Sequence, residues 1–223
     1  MIIMPKLLYI APHPDDECDN GGGLLAMRVR EGYDVYIVYM TDGRLGSPKP
    51  EERGVELAKR RMREAYEALK VLGIPADHAI FLNYPDGELR RFINEAVVKL
   101  KDILARIKPD EVVHPSIYEV HPDHWASAVI TIRALKELGL KVKEYSYLNY
   151  EPSLTRLRRL KRIDVLIKLI KYKLSRKRVM MVNIAQYKEI KHECMKRHES
   201  QYRYLSKDYI DKYFNTDYER YFM

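Results

Sequence analysis

Leu7 to Ile10 and Val35 to Met40 are unbroken apolar runs, the pattern of parallel strands buried on both faces. Leu24 to Glu31 between them reads as helix, so Lys6 to Thr41 predicts strand, helix, strand. Further along, Glu51 to Leu72 carries Ala58, Met62, Ala65, Leu69 and Leu72 at helical spacing and stops at Gly73. A short strand over Ala79 to Leu82 leads into an Asp86-Gly87-Glu88 turn. Arg90 to Ile107 reads as helix halted before Pro109, Glu111 to His114 as strand, Trp125 to Leu138 as helix and Tyr145 to Tyr150 as strand. This alternation predicts an α/β fold with a mostly parallel sheet, built as one domain over residues 1–223. Past Tyr150 the rhythm gives way to a basic helix, a strand over Val179 to Ile184, a helix from Tyr187 to about Tyr204 and an aromatic-rich tail. The Gly21-Gly22-Gly23 run lacks G-x-G-x-x-G spacing. Its expected role is close packing of helix on sheet, which glycine permits.

Where the first strand stops and its helix begins, the sequence reads Ala11-Pro12-His13-Pro14-Asp15-Asp16-Glu17. Pro14 biases His13 away from the helical region, so His13 stays extended while the acids enter the next turn. An imidazole and an acid three positions apart can converge on one point, and a catalytic zinc-like site needs three protein ligands plus a water. A capping aspartate would account for one acid. Three acids beside a histidine repel one another unless a cation offsets them. A second cluster, His121-Pro122-Asp123-His124, stands at another strand-to-helix exit, on the rim where open α/β sheets carry their active sites. Alone, its histidines could be ordinary loop residues; with the first cluster they predict a metal site. His114, closing a buried-looking strand, reads as a hydrogen-bonded structural residue.

The net charge of +8 changes the picture through its location. It concentrates between Arg156 and Arg178, where Asp164 is the only acid, within a basic helical insertion at about 153–178. Leu157, Leu160, Ile163, Ile167, Ile170 and Leu174 recur at helical spacing, with Arg158, Arg159, Lys161, Arg162, Lys168 and Lys171 between them. Such a helix packs on the sheet or on a neighbouring subunit of a homo-oligomer, or lies on an anionic membrane surface, where each Lys or Arg contributes about 1 kcal/mol. Nucleic acid ranks third, since Tyr172 is the one aromatic interleaved with the run. Cys18 and Cys194 are far apart and outside any C-x-x-C pair, so neither a disulfide framework nor a cysteine-zinc site is expected and a reducing cytoplasm fits. The N-terminal apolar run lacks a charged leader and is too short to cross a bilayer, which predicts a soluble, cytoplasmic protein.

The two clusters, with the Thr41-x-Gly43 loop, Arg61-x-x-Glu64, Leu72-Gly73, Asp86-Gly87-Glu88, Pro109-Asp110 and, more weakly, Lys191 and His198-x-Ser200-Gln201, resemble the LmbE-like or PIG-L family of zinc-dependent de-N-acetylases. The resemblance covers most of the chain except Arg156 to Arg178. It implies a Rossmann-like three-layer α/β/α sandwich and a Zn2+, or another divalent cation, held by His13, Asp16 and His124. It also implies that Asp15 is the general base and that protonated His121, oriented by Asp123, stabilises the developing oxyanion. Arg44, where many relatives have an acid, and Arg61 are the expected substrate contacts; an ordinary loop or helix-face cation is the plain alternative for each. The implied activity is hydrolysis of an N-acetyl group from an N-acetylglucosamine-containing substrate, whether a free sugar, a chito-oligosaccharide or an inositol- or lipid-linked conjugate. The competing reading is a non-catalytic protein that engages membrane or nucleic acid through the basic helix and keeps a structural metal. Asp15 argues for the enzyme, because a structural site has no use for an unliganded acid.

Overall fold

The computed structural model describes residues 4–150, 163–175 and 178–223. Its centre is a seven-stranded sheet built from β1 (Lys6–Ala11), β2 (Asp34–Thr41), β3 (Ala79–Tyr84), β4 (Glu111–Pro115), β5 (Lys143–Tyr147), β6 (Val179–Asn183) and β7 (Tyr218–Phe222), in the order β3-β2-β1-β4-β5-β7-β6. The first five are parallel; β7 and β6 join antiparallel. Alternate residues of β1 explain its unbroken apolar run. Leu7, Tyr9 and Ala11 pack toward α1 (Asp16–Arg30), α2 (Val55–Leu72) and, further along the chain, the C-terminal helices, while Leu8 and Ile10 pack toward α3 (Ile93–Ile107) and α4 (Pro122–Leu138). Both faces of the sheet are therefore covered at its centre, as the parallel-sheet pattern requires. The chain leaves β1 toward β2 on one side and returns to β4 on the other. That reversal is a topological switch point, where α/β sheets open a crevice at the carboxyl ends of their strands.

The three consecutive glycines serve the packing expected of them. A methyl added to Gly21 would overlap the Tyr9 ring, and one on Gly23 would meet Ile184.

Some details depart from the sequence expectation. The helix expected over Tyr187 to Tyr204 is two helices, α6 (Lys188–Arg197) and α7 (Glu199–Tyr202), broken at His198. The aromatic tail holds α8 (Lys207–Tyr213) and β7, whose insertion between β5 and β6 is a long-range pairing that local periodicity does not encode. Of the basic segment, α5 (Ile163–Leu174) is described; Arg156, Leu157, Arg158, Arg159, Leu160, Lys161 and Arg162 lie outside the described residues.

A further departure corrects the reading of the cysteines. Cys18 of α1 and Cys194 of α6 form a disulfide across 176 residues, with Cα atoms 5.6 Å apart. No spacing rule marks such a pair; it arises because α6 packs on α1. The cysteines therefore lend no support to a reducing compartment. A bond closing so long a loop restrains the unfolded chain, so Cys194→Ser should lower unfolding free energy by about 2–4 kcal/mol in denaturant titration. Among the described residues no helix is long and apolar enough to cross a membrane.

Candidate active site

The loops leaving β1 and β4 meet over the switch point and bring both sequence clusters together. His13 Nδ1 and His124 Nε2 each lie 3.3 Å from Asp16 Oδ2. All three residues are buried, and among the described residues His124 Nε2 makes no hydrogen bond. A buried, unbonded imidazole nitrogen facing a carboxylate oxygen fits a cation ligand, and two imidazoles with one carboxylate form a zinc-type donor set that leaves a fourth position open. His121 also brings a nitrogen within 4.8 Å of His13 and His124, but its geometry, given below, suits a donor better.

The local field favours positive charge. Burial works against a charged ring at His124, yet Asp16 and Glu119 push its pKa up to about 9. At His13 burial is likewise outweighed, by Asp123, Asp16 and Asp86. For Asp16, burial alone would raise the carboxyl, but His124 and His13 hold it well below the usual carboxylate range. Excess negative charge that raises two buried imidazoles is the field in which a divalent cation is stabilised. Behind His13, Nε2 meets Asp86 Oδ1 at 3.2 Å and Asp123 Oδ2 at 3.3 Å; behind His124, Nδ1 faces Glu119 Oε1 at 3.7 Å. Carboxylates in such places orient metal-binding imidazoles.

Asp123 thus stands elsewhere than the expected orienter of His121. Its carboxylate accepts the Gly87 and Leu89 N–H groups at 2.6 and 3.1 Å and turns to His13. His121 is held instead by the Asp123 backbone N–H, which donates to Nδ1 at 3.3 Å. Nε2 must then carry the ring proton. Burial, followed by the positive charge of His13 and His124, lowers the His121 pKa to about 2, which works against the expected imidazolium.

Both expected substrate arginines are engaged within the protein. Arg44 pairs with Asp42 through Nε at 2.6 Å and through NH2, and does not line the cavity. Arg61 is 2% exposed. Its guanidinium donates to the Pro14 carbonyl at 2.9 Å and the Gly43 carbonyl at 3.0 Å, and pairs with Asp15 Oδ1 at 2.8 Å. It therefore ties the loop after β1 to the loop after β2 and fixes Asp15 by its carboxylate. On the backbone side, the Asp15 N–H donates to Glu17 Oε2 at 3.1 Å, and Glu17 Oε1 lies 2.7 Å from His198 Nε2. Burial raises the Asp15 carboxyl against the opposing pull of Arg61, a shift toward the range of a working base.

Asp15, Asp16, His13 and His121 line one cavity of about 430 Å3. Its far wall comes from Asn149, Tyr150, Gln201, Tyr204 and Tyr209. Glu119 and Tyr150 were not expected at the site, whereas Asp86, Glu17 and His198 stand in the sequence motifs without an assigned role there. Asp86 had a readable signal, since its turn follows a parallel strand and so belongs to the same rim; spacing offers none for His198, which arrives 181 residues after its partner.

Residues 8–135 match the family described as PIG-L: GlcNAc-PI de-N-acetylase. Diacetylchitobiose deacetylase of Thermococcus kodakarensis is 30% identical over 201 residues, spanning 88% of this chain and 70% of that protein. The 1D-myo-inositol 2-acetamido-2-deoxy-alpha-D-glucopyranoside deacetylase of a Mycobacterium species is 28% identical over 166 residues, 64% of this chain and 54% of that protein's length. The fold superposes with a TM-score of 0.72 on N,N'-diacetylchitobiose deacetylase from Pyrococcus horikoshii in complex with an inhibitor, at 25% identity over 98% of this chain and 83% of that one.

Proposed function

The chain belongs to the GlcNAc-PI de-N-acetylase (PIG-L) family, and from that premise we propose that it is a metal-dependent hydrolase that removes the N-acetyl group from an N-acetylglucosamine-containing substrate. One observation carries the proposal: His13 and His124 converge on one oxygen of Asp16 while Asp15 and His121 line the same cavity. In this reading His13, Asp16 and His124 hold the cation, with zinc the favoured ion. A cation held there polarises an amide carbonyl and lowers the pKa of water from 15.7 to about 7.

The chain's own groups account for the proton traffic. Asp15, kept off the ligand set by Arg61, accepts a proton from the attacking water and returns it to the leaving nitrogen as the C–N bond breaks, giving acetate and a free amine. His121 donates Nε2–H to the oxygen on which charge develops, an interaction that strengthens in the transition state. Arg61, itself in the cavity wall, positions Asp15; Asp86 and Asp123 orient His13. A disaccharide such as diacetylchitobiose and a sugar–inositol conjugate are the substrate types suggested by the relatives. A binding-only role is disfavoured because Asp15 lines the cavity beside the ligand set, where a structural metal needs no acid.

Mass spectrometry of products from N-acetylglucosamine, N,N'-diacetylchitobiose and an N-acetylglucosaminyl-inositol tests the reading. Loss of one acetyl group from at least one of them is expected; intact substrates after incubation with zinc-loaded protein would refute it.

A further inference from the structure

The described part of the basic segment turns an apolar face outward. Val165 and Leu169 of α5 are buried against the body. Ile163 and Leu174 at its ends are 77% and 76% exposed, and Leu166, Ile167 and Ile170 between them are exposed as well. Positions 163, 166, 167, 170 and 174 keep the three-to-four-residue period of a single helix face. Val179 and Met181 on β6, the edge strand that follows, are also exposed. Single surface aliphatics need no explanation, but a stripe along one helix marks an interaction surface.

Charge decides what covers it. From Arg156 to Arg178 the sequence holds eleven Lys and Arg against Asp164 alone, while the rest of the chain holds 29 Lys and Arg against 31 acids. The whole positive excess lies in this segment. A second copy laid face to face would set one such cluster against another. Nucleic acid would satisfy the cations but leave the aliphatic stripe in water. An anionic bilayer accommodates both, with the side chains at the acyl boundary and the cations among the headgroups.

We propose that the outer face of α5 docks on an anionic lipid surface. The face adjoins the reaction centre: Lys168 Nζ donates to the Glu119 carbonyl at 2.6 Å, and the Glu119 carboxylate stands behind His124. A groove of about 490 Å3, lined by Ile117, Pro122, Trp125 and Ile167 among others, continues the stripe to the loop that carries His121. Docking therefore holds that loop beside the membrane.

Flotation of the full chain with vesicles tests this, using equal parts phosphatidylglycerol and phosphatidylcholine against phosphatidylcholine alone. Partitioning at least roughly tenfold higher on the anionic vesicles at low salt is expected, weakening as salt screens the headgroups. Ile163→Ser combined with Leu174→Ser should lower partitioning about tenfold or more, since burial of each aliphatic side chain is lost. Both positions are mostly exposed, so the melting temperature should be unchanged. Lys171→Glu with Lys173→Glu should weaken binding through the charge alone. Equal partitioning on the two vesicle types, or a double serine variant that floats like the parent, would overturn the proposal. So would a chain that ignores vesicles and instead dimerises through this face or binds nucleic acid.

Discussion

Asp15→Asn should keep its metal and lose about 10²- to 10⁴-fold in kcat, the usual contribution of a positioned general base. The substitution preserves shape and can still accept from the Arg61 guanidinium, which lies 2.8 Å from Asp15 Oδ1. What it removes is the capacity to take a proton from water. Asp16→Asn, one residue on, should behave in the opposite way. Asp16 Oδ2 is the oxygen shared by His13 and His124, so a neutral amide there weakens metal binding and activity falls with metal content. Metal analysis beside steady-state kinetics separates the two. An active Asp15→Asn would remove the proposed base; loss of metal from Asp15→Asn with retention in Asp16→Asn would exchange the two assignments.

Arg61→Met should cost about 3–5 kcal/mol of stability, because removing a buried guanidinium leaves two buried carbonyl acceptors and the half-buried Asp15 carboxylate without their partner. The Pro14 and Gly43 carbonyls lose their donor, and each unsatisfied buried acceptor costs about 1–3 kcal/mol. Asp15 simultaneously loses the group that fixes its carboxylate. In the protein that remains folded, kcat should fall while metal content stays near the parent's, since no metal-ligand candidate contacts Arg61. Denaturant titration gives the first quantity and metal-normalised kinetics the second. A variant as stable and active as the parent would show that the guanidinium neither ties the loops nor positions Asp15.

These two predictions differ in how far the sequence could anticipate them. Asp15 was legible because it stands among ligand-type residues where an apolar strand ends, and the second histidine cluster repeats that placement. The strands β1 and β2 were legible for a related reason: burial on both faces writes a continuous apolar run. β5 runs from Lys143 to Tyr147 rather than over Tyr145 to Tyr150, because its first two residues are charged and exposed. Arg61 was not readable as a clamp, because helical spacing shows only which face it occupies; its partners come from loops after β1 and β2. Asp123 misled for a similar reason. Its neighbour in sequence is His121, but the loop after β3 offers its carboxylate two backbone N–H groups and turns it toward His13. The break at His198 has no proline or glycine to announce it; it coincides with a fully buried contact between His198 and Glu17. The disulfide and β7 depend on residues far apart in sequence, so both belong to tertiary structure rather than to pattern.

The most direct test of the central claim is acetate release from N,N'-diacetylchitobiose by one preparation in three states: as purified, after removal of metal by a chelator, and after zinc is restored. Release in the first state, its loss in the second and its return in the third are the expected results. Release that continues undiminished in protein shown to be metal-free would contradict a metal-dependent de-N-acetylase at this site.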